Sequence, residues 1–297
     1  MSEGHLTVAA LQMQVEDDRD RNLDRVEDMV RAAAAAGARL VLPQELFELP
    51  YFCKDQDPAW FETARPFRDN PAIIRMQALA AELGVVIPVS FFERAGPAFF
   101  NSLAMIDADG RVLGLYRKSH IPDGPGYQEK FYFSPGDTGF MVFDTAIGRV
   151  GAAICWDQWF PEAARSMALM GADILLYPTA IGSEPQAPDW DSRDHWRRVM
   201  QGHAAANIVP VVATNRVGTE VGREATLTFY GSSFVTDATG GIVAEAGRTG
   251  DAVVVAEIDL AAARALRASW GLFRDRRPDL YGAVATLDGG IGGKRGG

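Results

Sequence analysis

Apolar positions along the chain fall into short runs and helical stripes that take turns, with Gly, Pro, Asn or Asp between them. Residues 6–13 alternate as a strand, and residues 22–36 carry the spacing of a helix that Gly37 stops. Residues 39–43 are a brief apolar run ending at Pro43-Gln44-Glu45. Residues 71–83 have proline at the first position and Gly84 just past the end, the order expected of a helix. A strand follows at 85–92. Segments 100–106 and 112–117 flank the turn residues 107–110, and 140–144 and 149–154 flank 145–148, so both pairs predict hairpins. Beyond them the pattern predicts a helix at 161–170, a strand at 172–177, a long helix at 190–207 and a strand at 209–214. A third hairpin, 232–237 with 241–246, and a last strand at 251–258 complete the series.

Helix–strand alternation mixed with hairpins implies an α/β chain with mixed rather than purely parallel sheets. No linker or internal repeat divides it, so residues 1–287 read as one domain, and the glycine-rich tail 288–297 is expected to be disordered. The chain has 297 residues, 47% of them hydrophobic, enough for one large core. The formal net charge of −10 argues against nucleic-acid binding and mildly favours a cationic or neutral ligand, though solubility alone accounts for it. Two cysteines make a disulfide framework unexpected and favour a reducing, cytoplasmic setting. The N-terminus lacks the basic and apolar regions of a signal peptide, and no stretch is long enough to span a membrane.

Three polar residues share one context. Glu45, Lys118 and Cys155 each stand at the end of an apolar, strand-like segment, where sheets that carry helices gather their functional groups. After Cys155 a helix start follows within a few residues, which sets a thiol over backbone N–H groups able to hold a thiolate and later an oxyanion. The chemistry is complementary: a carboxylate takes the thiol proton, a thiolate attacks a carbonyl carbon, and an ammonium steadies the oxyanion. Singly, each has a plain reading: a buried core thiol, a helix-capping glutamate, a surface lysine.

The flanking residues add a resemblance. Leu42-Pro43-Gln44-Glu45-Leu46-Phe47, Tyr116-Arg117-Lys118-Ser119-His120-Ile121-Pro122 and Ala153-Ile154-Cys155-Trp156-Asp157 are similar, in order and spacing, to the signature blocks of the nitrilase superfamily, the carbon–nitrogen hydrolases. The resemblance spans roughly residues 6 to 285. It implies a four-layer αββα sandwich, a triad of Glu45, Lys118 and Cys155, and neither metal nor organic cofactor. It also implies a second glutamate, Glu129, that orients Lys118 and relays protons, and a homo-oligomer, a dimer or larger.

Within that superfamily, residues 118–137, 180–186 and 191–203 resemble the N-carbamoylputrescine amidohydrolases. Those enzymes release putrescine, carbon dioxide and ammonia from a small-molecule carbamoyl amine. A substrate ending in an ammonium needs an anionic or aromatic anchor. Glu184 is the candidate partner for that ammonium, and Tyr51, Tyr127 and Trp156 are candidates to wall the aliphatic stem. Arg193, Arg197 and Arg198 keep open a carbamoyl acid or ω-amide substrate, and a catalytically silent scaffold is the remote alternative. His120 is a weak candidate for a base. His195 and His203 lack the spacing of a zinc pair and read as structural or interfacial. Cys53 reads as a passive thiol, and residues 269–274 offer aromatics to a partner subunit.

Overall fold

A computed structural model describes residues 4–290; the expected tail falls largely on 291–297, outside the described residues. The first half of the chain gives β1 (His5–Gln12), α1 (Arg19–Ala35), β2 (Leu40–Leu42), α2 (Pro71–Leu83), β3 (Ile87–Ala95), β4 (Ala98–Ile106) and β5 (Val112–Arg117). The second gives β6 (Met141–Thr145), β7 (Gly148–Ala152), α3 (Pro161–Leu169), β8 (Ile174–Pro178), α4 (Arg193–Asn207), β9 (Val211–Thr214) and β10 (Val217–Val221). It ends with β11 (Thr226–Tyr230), β12 (Phe234–Thr236), β13 (Ile242–Glu245), β14 (Ala252–Asp259) and α5 (Leu260–Trp270).

β1 shows how the layers arise. Leu6, Val8 and Ala10 face one core, while Ala9 and Leu11 face another, so the strand is buried on both sides. One sheet runs β14-β1-β2 and continues through the Val41–Val86 and Val86–Arg39 main-chain bonds to β3-β4-β5. The second runs β13-β12-β9-β8-β7-β6, with β7, β8 and β9 parallel. Between the sheets, Val8, Leu42, Met105 and Tyr116 pack in one core with Val150, Ile174 and Val212. Leu23, Val26 and Val30 of α1 and Ile73, Met76 and Leu79 of α2 cover the outer face of the first sheet. Met167 of α3 and Trp196, Met200 and Ala204 of α4 join the core of the second. The result is a single-domain αββα sandwich.

Local chemistry sets the helix ends. The Asp18 side chain accepts from the N–H groups of Asp20 and Arg21 at the start of α1. Asn70 Oδ1 accepts from Ile73 N at 3.0 Å before α2, and Gly84 closes that helix at φ 66°. Several elements differ from the pattern-based reading. α4 begins at Arg193 rather than 190, and β7 ends at Ala152 rather than 154. The β10–β11 hairpin and α5 are additional. β10–β11 is a two-stranded ribbon whose threonines, Thr219 and Thr228, meet at 2.9 Å, and its half-polar face gave little apolar signal. α5 is capped by Asp259, which accepts from Ala262 N at 2.8 Å. Among the described residues no helix is long and apolar enough to cross a membrane.

Candidate active site

Parallel pairing of β7 with β8 delivers the chain segments beyond both strands to the same sheet edge. After β7, Cys155 opens a 3₁₀ turn, Cys155–Trp159, and Pro161 then starts α3. After β8 comes Ala180, whose carbonyl lies 3.8 Å from Cys155 Sγ. Cys155 has φ 44°, a left-handed conformation that costs a residue with a side chain about 1–3 kcal/mol and persists where the surroundings enforce it. Asp157 is one enforcer: it is fully buried and accepts from Ile154 N at 3.0 Å and from Tyr116 OH at 2.6 Å. It also accepts from His120 N at 2.9 Å and His120 Nδ1 at 2.7 Å, which ties the chain after β5 to the Cys155 turn. The His120 ring stacks on Phe160 with centroids 3.6 Å apart. From α4, His203 Nε2 donates to the Gln158 carbonyl at 2.7 Å and Trp196 Nε1 donates to Gln158 Oε1 at 2.7 Å. Burial lowers the His203 pKa, consistent with a neutral, structural imidazole.

Glu45 follows β2, Lys118 follows β5, and Glu129 lies on a short 3₁₀ turn, Glu129–Phe131. All three are 0% exposed. Lys118 Nζ donates to Glu45 Oε1 at 2.9 Å and to Glu129 Oε1 and Oε2 at 2.9 and 2.7 Å. Asn101 Nδ2 donates to Glu45 Oε1 at 2.7 Å, and Tyr51 OH donates to Glu129 Oε1 at 2.7 Å. Glu45 Oε2 is buried and has no partner, which leaves one carboxylate oxygen free to accept a proton.

These contacts set the protonation states. Burial opposes the Lys118 charge, yet Glu129 and Glu45 together hold its pKa well above the ordinary lysine value. Burial pushes Glu129 up to about 7 against the pull of Lys118. Burial, then the charge of Glu45, pushes the Cys155 pKa well up. The resting site therefore holds a neutral thiol aimed at the Ala180 carbonyl, not the ready-made thiolate that a turn of N–H groups suggests. Deprotonation needs a base, and the Glu45 carboxylate is the charge that acts most strongly on the thiol.

The cavity at Cys155 measures about 70 Å³. Its lining includes Tyr127, Glu129, Trp156, Gln158 and two further carboxylates, Asp123 and Glu184, with no lysine or arginine. Burial raises the Glu184 pKa, and Gln186 Nε2 donates to it at 3.2 Å. Tyr127 OH braces the Glu184 loop, donating to Ser183 O and accepting from Gly182 N, both at 3.0 Å. Trp156 stands at the mouth, 40% exposed. Tyr51 is set back from the cavity, behind Glu129, and Cys53 is buried without reaching it. Arg193 pairs with Asp194 and Ser232, Arg197 pairs with Glu245, and Arg198 is exposed; none lines the cavity. A larger cavity, about 530 Å³ beside Trp190 and Arg248, is lined by none of Glu45, Lys118 and Cys155.

Residues 7–268 match the family model of the carbon–nitrogen hydrolases. The chain belongs to this family. It is 60% identical over 290 residues to N-carbamoylputrescine amidase of Arabidopsis thaliana, covering 96% of this chain and 97% of that protein. It is 55% identical over 280 residues to citrullinase of Francisella tularensis, covering 94% and 98%. Among solved structures, a carbon–nitrogen hydrolase from Helicobacter pylori G27 superposes with a TM-score of 0.90 at 38% identity, covering 96% and 99%. The chain is thus an amidase-type hydrolase of the nitrilase superfamily.

Sequence reasoning missed several groups of this hydrolase. Arg216 is fully buried and donates from Nη2 to the carbonyls of Glu45 (3.2 Å) and Leu46 (2.8 Å). Its Nη1 reaches Leu49 O at 3.1 Å and Glu220 Oε1 at 2.7 Å, so one side chain fastens the whole Glu45 loop. Asn101 carried no recognisable motif, and Asp123, though inside the block 118–137, was not singled out as a cavity residue.

Proposed function

We propose that this hydrolase cleaves N-carbamoylputrescine to putrescine, carbon dioxide and ammonia. The observation that carries the reading is the cavity at Cys155, which holds Asp123 and Glu184 and no cationic side chain. A carbamoyl amine brings its ammonium to that anionic rim. A carbamoyl acid would bring a carboxylate to the same carboxylates with no arginine or lysine to receive it. Citrulline carries the same carbamoyl group but adds an α-carboxylate, so the rim disfavours it for the same reason.

In this reading the free Oε2 of Glu45 takes the Sγ proton and the thiolate attacks the carbamoyl carbon. The charge of Lys118 and the backbone N–H of Trp156 hold the tetrahedral oxyanion. Collapse breaks one C–N bond, and Glu45 returns the proton to the leaving ammonia. Water, deprotonated by Glu45, then attacks the thiol-bound carbamoyl and Cys155 leaves with a proton. The carbamic acid released divides into carbon dioxide and the amine. Glu129 keeps Lys118 charged and in place, and Tyr51 acts on Glu129 rather than on the substrate. Trp156 and Tyr127 flank the aliphatic stem. Assembly into a homo-oligomer is part of the same reading; Trp270, 68% exposed beyond the core, is the aromatic offered to a second copy.

The test is ammonia release from N-carbamoylputrescine, N-carbamoyl-β-alanine and citrulline, with Cys155→Ala as control. The amine is expected to have a kcat/KM at least about tenfold above either acid, a difference of ~1.4 kcal/mol. Loss of the nucleophile is expected to lower turnover on the order of 10⁶-fold, as in other hydrolases. A preference for either acid, or retained turnover in the variant, overturns the reading.

A further inference from the structure

Gln158 holds an unspent donor beside the nucleophile. It is 0% exposed and lines the cavity at Cys155. In the 3₁₀ turn it stands three residues after Cys155, and both residues line the same cavity. Its orientation is determined. Trp196 Nε1 only donates, so the amide atom 2.7 Å from it must be the oxygen, and Thr179 Oγ1 lies 3.1 Å from that same oxygen. Nε2 is then the other end of the amide, and it is buried with no hydrogen-bond partner. A buried N–H₂ group left unpaired is costly unless a bound molecule completes it.

The neighbouring ammonium makes the vacancy matter. Lys118 Nζ has three protons, and three carboxylate oxygens lie within 2.9 Å of it in the resting site. Two of those oxygens belong to the one Glu129 carboxylate and share a proton, so Lys118 offers the oxyanion its charge and at most one N–H. We propose that Gln158 is a further catalytic residue, its Nε2 donating to the carbamoyl oxygen as that atom becomes an oxyanion. The proposal rests on the reading that Cys155 attacks a carbamoyl carbon. No bond is made or broken at Gln158; it stabilises charge while the Sγ–C bond forms and the carbonyl π pair moves to oxygen. Trp196 is then a positioning residue, since it decides which end of the amide faces the thiol.

Gln158→Glu tests this directly. A carboxylate keeps an acceptor for Trp196 and Thr179 but replaces the donor with an oxygen. If Gln158 were purely structural, a loss of kcat here would come from the added buried charge and would be absent from Gln158→Met. The proposal expects kcat on N-carbamoylputrescine to fall by roughly 10²–10³, the usual cost of one oxyanion donor, with KM changed by less than about threefold. Gln158→Met, which adds no charge, is read by the same split whether or not the glutamate variant folds. Alkylation of Cys155 by iodoacetamide at the wild-type rate certifies an intact nucleophile in either variant. A kcat within about threefold of wild type, or a loss confined to KM, overturns the proposal. Wild-type protein that turns over no carbamoyl amine would instead refute the reading beneath it, so the two failures are distinguishable.

Discussion

The floor of the site and its rim are built on opposite principles. On the floor, Glu45, Lys118 and Glu129 are wholly buried, and their bonds run between 2.7 and 2.9 Å. Each of the three follows closely on strands or is gripped by groups from other layers, such as Asn101 on β4 and Tyr51 on the Glu45 loop. On the rim, Asp123 and Trp156 are exposed, Glu184 is half-buried, and Asp123 and Glu184 sit on loops. A charge in a dry interior must be paired and hydrogen-bonded or it destabilises the fold, so the floor has little freedom to vary. A charge at a wet rim is nearly free to change, and there an altered residue changes only what binds. In the proposed reading the chemistry resides where change is expensive, and substrate choice resides where it is cheap.

Lys118→Met attacks the floor and carries the largest expected effect. It leaves two buried carboxylates facing one another without their cation. Breaking a buried pair by removing one partner typically costs about 3–5 kcal/mol, and turnover should vanish with it. The loss depends on pH with a definite sign. Glu129, already raised to about 7, rises further without Lys118 beside it. A raised carboxylate contributes stability below its unfolded value of 4.5 and loses it as pH climbs, so the deficit against wild type shrinks in acid. Urea unfolding at pH 5 and pH 8 checks this; an equal deficit at both would mean the pair is not what Lys118 holds apart.

Glu184→Gln attacks the rim. A hydrogen bond to a charged group is worth about 1.5–3 kcal/mol when buried, and half-burial discounts it to roughly a tenfold rise in KM for N-carbamoylputrescine. The value of kcat and the melting temperature should stay near wild type. Turnover of N-carbamoyl-β-alanine should not worsen, because its carboxylate gains from a lost negative charge. An equal rise in KM for both substrates would mean the loop was deformed rather than a charge removed.

The same division decides what could be read from the chain. α1, α2 and β1 were legible because burial on fixed faces imposes a period. Glu45, Lys118 and Cys155 were legible because strand ends collect polar groups and because their flanking blocks resemble a known family. Arg216 was not: a charged residue between two strands reads as a solvated turn, and charged side chains are rarely buried. Only its partners, the carbonyls of residues 45, 46 and 49 brought in from the far end of the chain, reveal that it is a clamp. Gln158 lay in plain view beside Cys155, but its significance depends on Trp196 fixing the amide from another helix. Tyr51 shows the limit from the other side. Its aromatic character suggested a substrate wall, whereas its hydroxyl is bonded into the floor.

Tyr51→Phe turns that last distinction into a measurement with the smallest expected effect. The phenol donates to Glu129 at 2.7 Å and so favours the ionised carboxylate, working with Lys118 against burial. Removing the hydroxyl removes that support, and the carboxylate should then ionise only at higher pH. If ionised Glu129 is what holds Lys118 for catalysis, the acid limb of kcat/KM lies near the Glu129 value of about 7 in the wild type. In the variant it should move up by about one unit, the equivalent of ~1.4 kcal/mol, within the worth of a hydrogen bond to a charged group. Activity at pH 6 should fall by up to about tenfold while activity at pH 9 stays near wild type, because there the carboxylate is ionised in both proteins. A tyrosine that walled the substrate would behave differently: its loss would raise KM by the same factor at every pH and leave the limb where it was.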